Sequence, residues 1–369
     1  MKIGIITYHK VYNCGSSLQA YATLQTFKKL GVDAELINFV PDRFKNYGSF
    51  KQTYADKRYF GNPLKAFVAT LFSLYSRKYQ KTSFDKFNKY LELGKELYTD
   101  DLPKQKSYDA YFTGSDQVWN NHFGGFEKAY FLDFVPKGKP CFAYSASFGK
   151  SEFTSQENEE LKKLLTKYKY LSIREDSGCK LVKQLGFEAE QLLDPIYTLT
   201  KEEWQAIVHQ SVKGKYILIY QISYKSNCIG YAKELSRLKG GLPIYFIEYE
   251  RKPHHSGVNY VFTPEVNDFL ELINGAEYVV TDSFHGTSFS LKFNTKFFAI
   301  LPPAFPSRLT SILNLLNLTN RVISNKEDLV KACDAPIDWN YLNEKLGKEA
   351  EKNIQFLSKC LASLKLILR

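Results

Sequence analysis

Tyr278-Val279-Val280-Thr281-Asp282-Ser283-Phe284-His285-Gly286-Thr287-Ser288-Phe289 is an apolar run that ends in a short polar turn and reopens as a second apolar segment reaching Phe293. That is the pattern of a strand, a tight turn and a helix start. In open α/β sheets ligands gather outside the carboxyl ends of strands, and this turn lies at such an end. Backbone N–H groups at a helix start, together with its dipole, favour an anion, here around Ser283, Gly286 and Thr287. His285 stands on the turn itself, and histidine is the side chain whose charge changes most readily near neutral pH. It reads as a proton donor to something phosphorylated. A plainer reading stays open beside it, in which Asp282 and Ser283 cap the helix and His285 is a satisfied turn histidine.

Working outward, the same alternation fills most of the chain. Residues 3–7, 33–39, 108–113, 140–146 and 170–173 read as strands, with helical patterns at 16–30 and 155–167. A second series follows, with strands at 216–221, 243–248, 259–262, 277–281 and 296–301 and helices near 230–238 and 265–274. Alternating strands and helices imply parallel sheets. The fold expected is therefore α/β, with two Rossmann-like domains facing each other across a cleft: 1–195, carrying a basic aromatic insertion at 41–90, and 196–338. The helical pattern from 339 to the end is long enough, at about 1.5 Å per residue, to reach back across the first domain.

Other strand ends carry polar residues. The loop His9-Lys10-Val11-Tyr12-Asn13-Cys14-Gly15-Ser16-Ser17 contains no G-x-G-x-x-G, so no dinucleotide fingerprint is present. Gly114-Ser115-Asp116-Gln117-Val118-Trp119-Asn120 reads as a binding loop or, alternatively, as a structural turn with Trp119 plugged into the core; Trp119 itself reads as packing. Arg174 leaves a strand just before a helix start, placed to take a carboxylate or phosphate, or to pair with Glu175 or Asp176. Arg308 stands at a further helix start.

Composition sets the bounds. At 369 residues, with 44% hydrophobic and 24% charged residues, the chain is expected to fold as two globular domains. Its amino terminus is too quickly polar for a signal peptide and no uncharged apolar run approaches the ~20 residues that span a bilayer, so a cytoplasmic protein is expected. Six cysteines without a C-x-x-C pair indicate neither a zinc site nor a disulfide framework, and no metal is expected. The net charge of +11 is uneven: residues 41–90 hold eleven Lys or Arg against three Asp, with thirteen Phe or Tyr interleaved. No nucleic-acid motif accompanies them. An anionic membrane face and a solvated basic surface over a local helical core both remain open, the former because 66–76 is an uncharged stretch between Lys65 and Arg77-Lys78.

Six segments in order resemble the polysaccharide pyruvyl transferase family: Asn13-Cys14-Gly15-Ser16-Ser17-Leu18-Gln19-Ala20, Gly114 to Asn120, Tyr144-Ser145-Ala146-Ser147-Phe148-Gly149, Ser172-Ile173-Arg174-Glu175-Asp176-Ser177-Gly178, Leu193-Asp194-Pro195 and Thr281-Asp282-Ser283-Phe284-His285-Gly286. The resemblance implies a GT-B-like fold and transfer of the enolpyruvyl carbons of phosphoenolpyruvate onto two sugar hydroxyls as a cyclic ketal. The donor is a co-substrate and no further cofactor is implied; the sugar acceptor is expected on a lipid diphosphate carrier, with 41–90 holding the enzyme at an anionic membrane. Donor-handling residues would be His285, Arg174 and Arg308, helped by Ser283, Gly286 and Thr287. Apart from the resemblance, Asp116 at the facing domain's strand end is expected to serve as base, a purely structural loop role standing open beside it, and Asn13, Ser16, Gln117 and Asn120 are expected to face the acceptor. A nucleotide-sugar glycosyltransferase and an inert carbohydrate-binding protein stand as alternatives.

Overall fold

The computed structural model describes residues 1–45, 49–57, 62–122, 125–208, 212–250 and 254–367. Its strands are β1 (Lys2–Ile6), β2 (Asp33–Leu36), β3 (Ala110–Thr113), β4 (Cys141–Ala146), β5 (Tyr168–Ile173), β6 (Ala189–Gln191), β7 (Ile217–Tyr220), β8 (Ile244–Glu248), β9 (Asn259–Phe262), β10 (Tyr278–Thr281) and β11 (Lys296–Ala299). The helices are α1 (Cys14–Lys29), α2 (Phe50–Lys57), α3 (Pro63–Phe87), α4 (Ser155–Leu165), α5 (Asp176–Gln184), α6 (Lys201–Gln205), α7 (Cys228–Leu238), α8 (Val266–Asn274), α9 (Phe284–Phe293), α10 (Ser307–Leu315), α11 (Lys326–Asp334) and α12 (Trp339–Ile367).

The strands form two sheets, ordered β2-β1-β3-β4-β5-β6 and β11-β10-β7-β8-β9. Every pairing is parallel. Strands β3, β7 and β10 are buried at all four positions, as expected of parallel sheets covered by helices on both faces. The chain is thus α/β with two Rossmann-like halves. Each sheet reverses its winding direction once, between β1 and β3 in the first and between β7 and β10 in the second.

Beyond small shifts of boundary, β2, β6, α6 and α11 differ from the sequence reading. β2 stops at Leu36, and Phe39 continues only as an isolated bridge to Leu97. β6, three residues of mixed polarity at a sheet edge, gives no periodic signal. The basic segment contributes α2 and the 25-residue α3; residues 46–48 and 58–61 of that segment lie outside the described residues.

One core runs between the halves. Trp204 is fully buried, lies against the Phe289 ring at 5.1 Å and the Tyr21 ring at 5.7 Å, and donates its indole N–H to the Ile196 carbonyl. α12 packs against the turn Pro195–Thr198, where Asn353 Nδ2 donates to Tyr144 Oη at 3.0 Å and to the Leu193 carbonyl at 2.8 Å. α3 ties the halves on the other side: Gln80 donates to the Tyr12 carbonyl, Ser83 to the Thr263 carbonyl, and Lys86 pairs with Glu265. These ties fix how the carboxyl edges of the two sheets face each other.

Candidate active site

Between those edges lies a cavity of about 390 Å³. Its walls come from the loops at both winding reversals: Tyr8, Val11, Asn13 and Ser16 after β1, Asp116 and Gln117 after β3, Ile222 and Ser223 after β7, and Asp282, Ser283, Phe284 and His285 after β10. Arg43 and Phe44 close it from beyond β2, and Pro302, Ala304, Phe305 and Arg308 from beyond β11. A ligand at both switch points at once is where this topology puts substrates.

The first-half wall is shaped by backbone. Gly114 adopts φ +104°, and a Cβ there would stand 2.3 Å from the Tyr144 carbonyl oxygen, so only glycine lets the two strand ends approach. Two residues on, Asp116 is held at φ +68°, uncommon for a residue with a side chain and typical of positions fixed by function. The carboxylate accepts from Ser16 Oγ at 2.5 Å, while Arg174 Nη2 stands 3.4 Å and Arg308 Nη1 3.9 Å away. Burial pushes the Asp116 carboxyl up, but Arg174, His285 and Arg308 together outweigh it and leave the group below its ordinary value. Asp116 is therefore ionised at neutral pH.

The second-half wall is capped rather than open. Ser283 Oγ accepts from the Gly286 N–H at 3.2 Å, and the Ser283 carbonyl accepts from the Thr287 N–H at 3.0 Å. Asp282 is equally committed, accepting from the Ile222 and Ser223 N–H groups at 2.6 and 2.8 Å and from Ser226 Oγ at 2.7 Å, which pins the loop after β7. His285 projects between the halves. Its Nε2 lies 3.5 Å from Asp194 Oδ2, and its other edge faces Gly15 so closely that a Cβ on Gly15 would fall 2.0 Å from Nδ1.

The structure thus brings His285, Asp116, Arg308, Ser283, Asn13, Ser16 and Gln117 to one cavity. With its amide oxygen turned to the guanidinium, Gln117 accepts from Arg308 Nε at 3.1 Å and Nη2 at 2.9 Å. Four expected residues lie elsewhere. Gly286 and Thr287 sit behind the wall, their amides already used by the Ser283 cap. Asn120 is turned into its own loop, where its Oδ1 accepts from the His122 N–H. Arg174 is buried beneath the cavity, its guanidinium over the Phe284 ring at 4.5 Å, paired with Asp116 and Asp194 and bonded to Ser115 Oγ. The pairing considered for it with Glu175 does not form; that carboxylate instead accepts from the Phe148 and Gly149 N–H groups. Arg174 sets the charge of the site from behind, and the cations on the wall are Arg308 and Arg43.

Sequence reasoning assigned no role to Asp194 or Arg43. Asp194 accepts from Arg174, Ser115 and the Ile196 N–H, and burial, which raises its carboxyl, is outweighed by Arg174 and His285, which hold it far below the usual carboxylate range. The available signal was a lone carboxylate in the apolar run Leu192-Leu193-Asp194-Pro195, because a buried charge requires a partner. Arg43, which donates to Tyr8 Oη at 3.1 Å, was one basic residue among many in 41–90. Among the described residues no group of three or more His, Cys, Asp or Glu is arranged to hold a metal ion.

Solved structures of the same architecture include a UDP-GlcNAc 2-epimerase from Methanocaldococcus jannaschii, 13% identical over 97% of this chain and 100% of that one with a TM-score of 0.57. A UDP-N-acetylglucosamine 2-epimerase from Rickettsia bellii is 11% identical over 99% of this chain and 97% of that one, TM-score 0.54. Arabidopsis thaliana UGT89C1 complexed with quercetin is 9% identical over 98% and 99%, TM-score 0.50. At these identities the likeness shows the fold alone, a GT-B-like pair of Rossmann domains. No curated protein matches the sequence. The family model described as polysaccharide pyruvyl transferase matches residues 13–302, from the cap of α1 to the cavity wall beyond β11, and the chain belongs to that family.

Proposed function

We propose that this protein transfers the enolpyruvyl group of phosphoenolpyruvate onto two hydroxyls of a sugar, forming a cyclic ketal and releasing phosphate, in the synthesis of a capsular, exo- or cell-wall polysaccharide. The observation that carries the reading is the single cavity where Arg308, His285 and Asp116 converge. Its wall presents Arg308 and Arg43 to a ligand, while Asp282 is spent on backbone amides. Such a wall suits a small polyanion, whose carboxylate and phosphate need two separated cations.

In this reading protonated His285 gives its proton to the methylene carbon of the donor as a sugar hydroxyl oxygen bonds to the neighbouring carbon and that hydroxyl loses its proton to Asp116 or back to the imidazole. The bond from that carbon to the phosphate oxygen then breaks, a second hydroxyl oxygen takes its place, and the proton it sheds leaves with phosphate. In this reading Asn13, Ser16 and Gln117, which line the opposite wall, would meet the acceptor.

The fold alone also suits a nucleotide-sugar glycosyltransferase. Incubation of the protein with phosphoenolpyruvate and sugar acceptors, followed by phosphate release, separates the two: release that needs both substrates and is lost in His285→Ala supports the pyruvyl transfer, and turnover with a nucleotide sugar alone overturns it.

A further inference from the structure

Helix α3 is built inside out. Up to Ser76 the residues it turns inward are small, Ala66, Thr70, Ser73 and Ser76, all buried; only further on does it bury large ones, Phe84 and Phe87. Those it turns to solvent are Leu64, Phe67, Val68, Leu71 and Phe72, between 42% and 70% exposed. Their spacing of i, i+3, i+4, i+7 and i+8 is that of one continuous helical stripe. Phe50 of α2 extends it, its ring 5.9 Å from that of Phe67. Small residues on the inner face let the helix lie close to α2, where Arg77 Nη1 donates to Thr53 Oγ1 at 2.7 Å, so the outward placement of the large side chains follows from a packed arrangement. Contiguous exposed apolar surface of this kind marks an interaction site.

Charge selects the occupant. α3 carries five Lys or Arg against one Asp, and Lys65 and Lys78 are exposed beside the stripe. Pairing the stripe with its copy on a second chain would bring two such cationic helices together, a repulsive arrangement. An anionic bilayer surface meets both features at once, taking the apolar side chains below its headgroups while lysines reach up to the phosphates. No helix among the described residues is long and apolar enough to cross a membrane, so the contact is one of lying on the surface.

We propose that the outer face of α3 is a docking surface for anionic lipid bilayers. It holds the protein by partial insertion of Leu64, Phe67, Val68, Leu71 and Phe72. This surface stands independently of the transfer reaction.

The test is co-sedimentation of the full chain with vesicles of phosphatidylglycerol, compared with vesicles of phosphatidylcholine. Binding to the anionic vesicles is expected, weakening with salt and on the neutral ones. Leu71→Ser/Phe72→Ser should lower the partition coefficient about ten-fold or more, and Lys65→Gln and Lys78→Gln roughly five-fold each. Phosphate release from a soluble acceptor should be unchanged in these variants; failure of that assay in the unaltered protein would bear on the proposed reaction and leave this surface untouched. Absence of binding to phosphatidylglycerol vesicles, or equal binding by the serine variant, overturns the proposal. So does light scattering that shows a dimer abolished by Leu71→Ser/Phe72→Ser, which would give the stripe to a second copy.

Discussion

Replacing Gly15 by alanine tests the site through its tightest contact. A Cβ at Gly15 would lie 2.0 Å from His285 Nδ1 and 2.1 Å from Cγ, whereas ordinary contact begins at 3.4 Å, so the atoms have to part by about 1.4 Å. Gly15 belongs to the first turn of α1 and cannot retreat without moving the β1 loop, so the imidazole moves. Displacing a catalytic group by ~1 Å costs about 10²-fold in rate. Overpacking at such a position adds about 1–3 kcal/mol of destabilisation, offset in part by the ~1 kcal/mol that alanine gains over glycine inside a helix. The expected outcome for Gly15→Ala is a kcat/KM for phosphate release about 100-fold below that of the unaltered protein, with a modest fall in Tm. The Gly15→Ala/His285→Ala protein, in which the ring is gone but the Cβ of residue 285 still stands 2.7 Å from the new methyl, should regain only part of the lost Tm, because the two substitutions share that contact. A Gly15→Ala enzyme with near-normal kcat/KM would refute the proton-donor role of the ring in its observed position, and a Tm loss undiminished by removal of the imidazole would refute the ring's part in the clash.

Arg308 should print its titration on the donor. Burial and the neighbouring Arg174 lower its pKa to about 10, so KM for phosphoenolpyruvate should rise as the pH passes about 10; a flat KM there would remove Arg308 from donor binding. The same depression means that the folded chain releases this proton before the unfolded one, so any alkaline loss of activity should not coincide with unfolding. Asp194→Asn takes one carboxylate from buried Arg174 and should lower stability by about 3 to 5 kcal/mol in denaturant unfolding, and a loss near zero would deny the pairing its role. Because the Asp194 carboxyl is depressed by folding, its stabilisation is complete above the unfolded pKa of ~4 and is lost as the pH falls below that value; the unaltered protein should lose stability there more steeply than Asp194→Asn.

The fold was legible because its strands are apolar runs bounded by glycine and polar turns, and parallel sheets buried on both faces produce such runs. β10 and the turn to His285 are where the stretch 278–289 placed them, and Trp119 is the core plug its surroundings implied, stacked on Phe131 at 5.2 Å. What escaped was pairing across distance. Arg174 looks like a ligand-binding residue from its place at a strand end; that its charge is consumed by Asp116 and Asp194 depends on three strands meeting. The helix start after β10 looks like an anion cradle until Ser283 closes its Gly286 amide. Arg43 is indistinguishable in sequence from its basic neighbours, and only the return of the chain past β2 brings it to the cavity.

Asp116 lies between two guanidinium groups, one permanently buried and one on the cavity wall. In the proposed reaction an arriving polyanion would compete with Asp116 for Arg308, and the carboxylate would then recover part of the basicity that the empty enzyme withholds, Arg174 still withholding the rest. A hydroxyl that entered first would meet a weaker acceptor for its proton. The expected kinetics are compulsory-order, three-carbon substrate before sugar, and product-inhibition patterns of a random mechanism would contradict this.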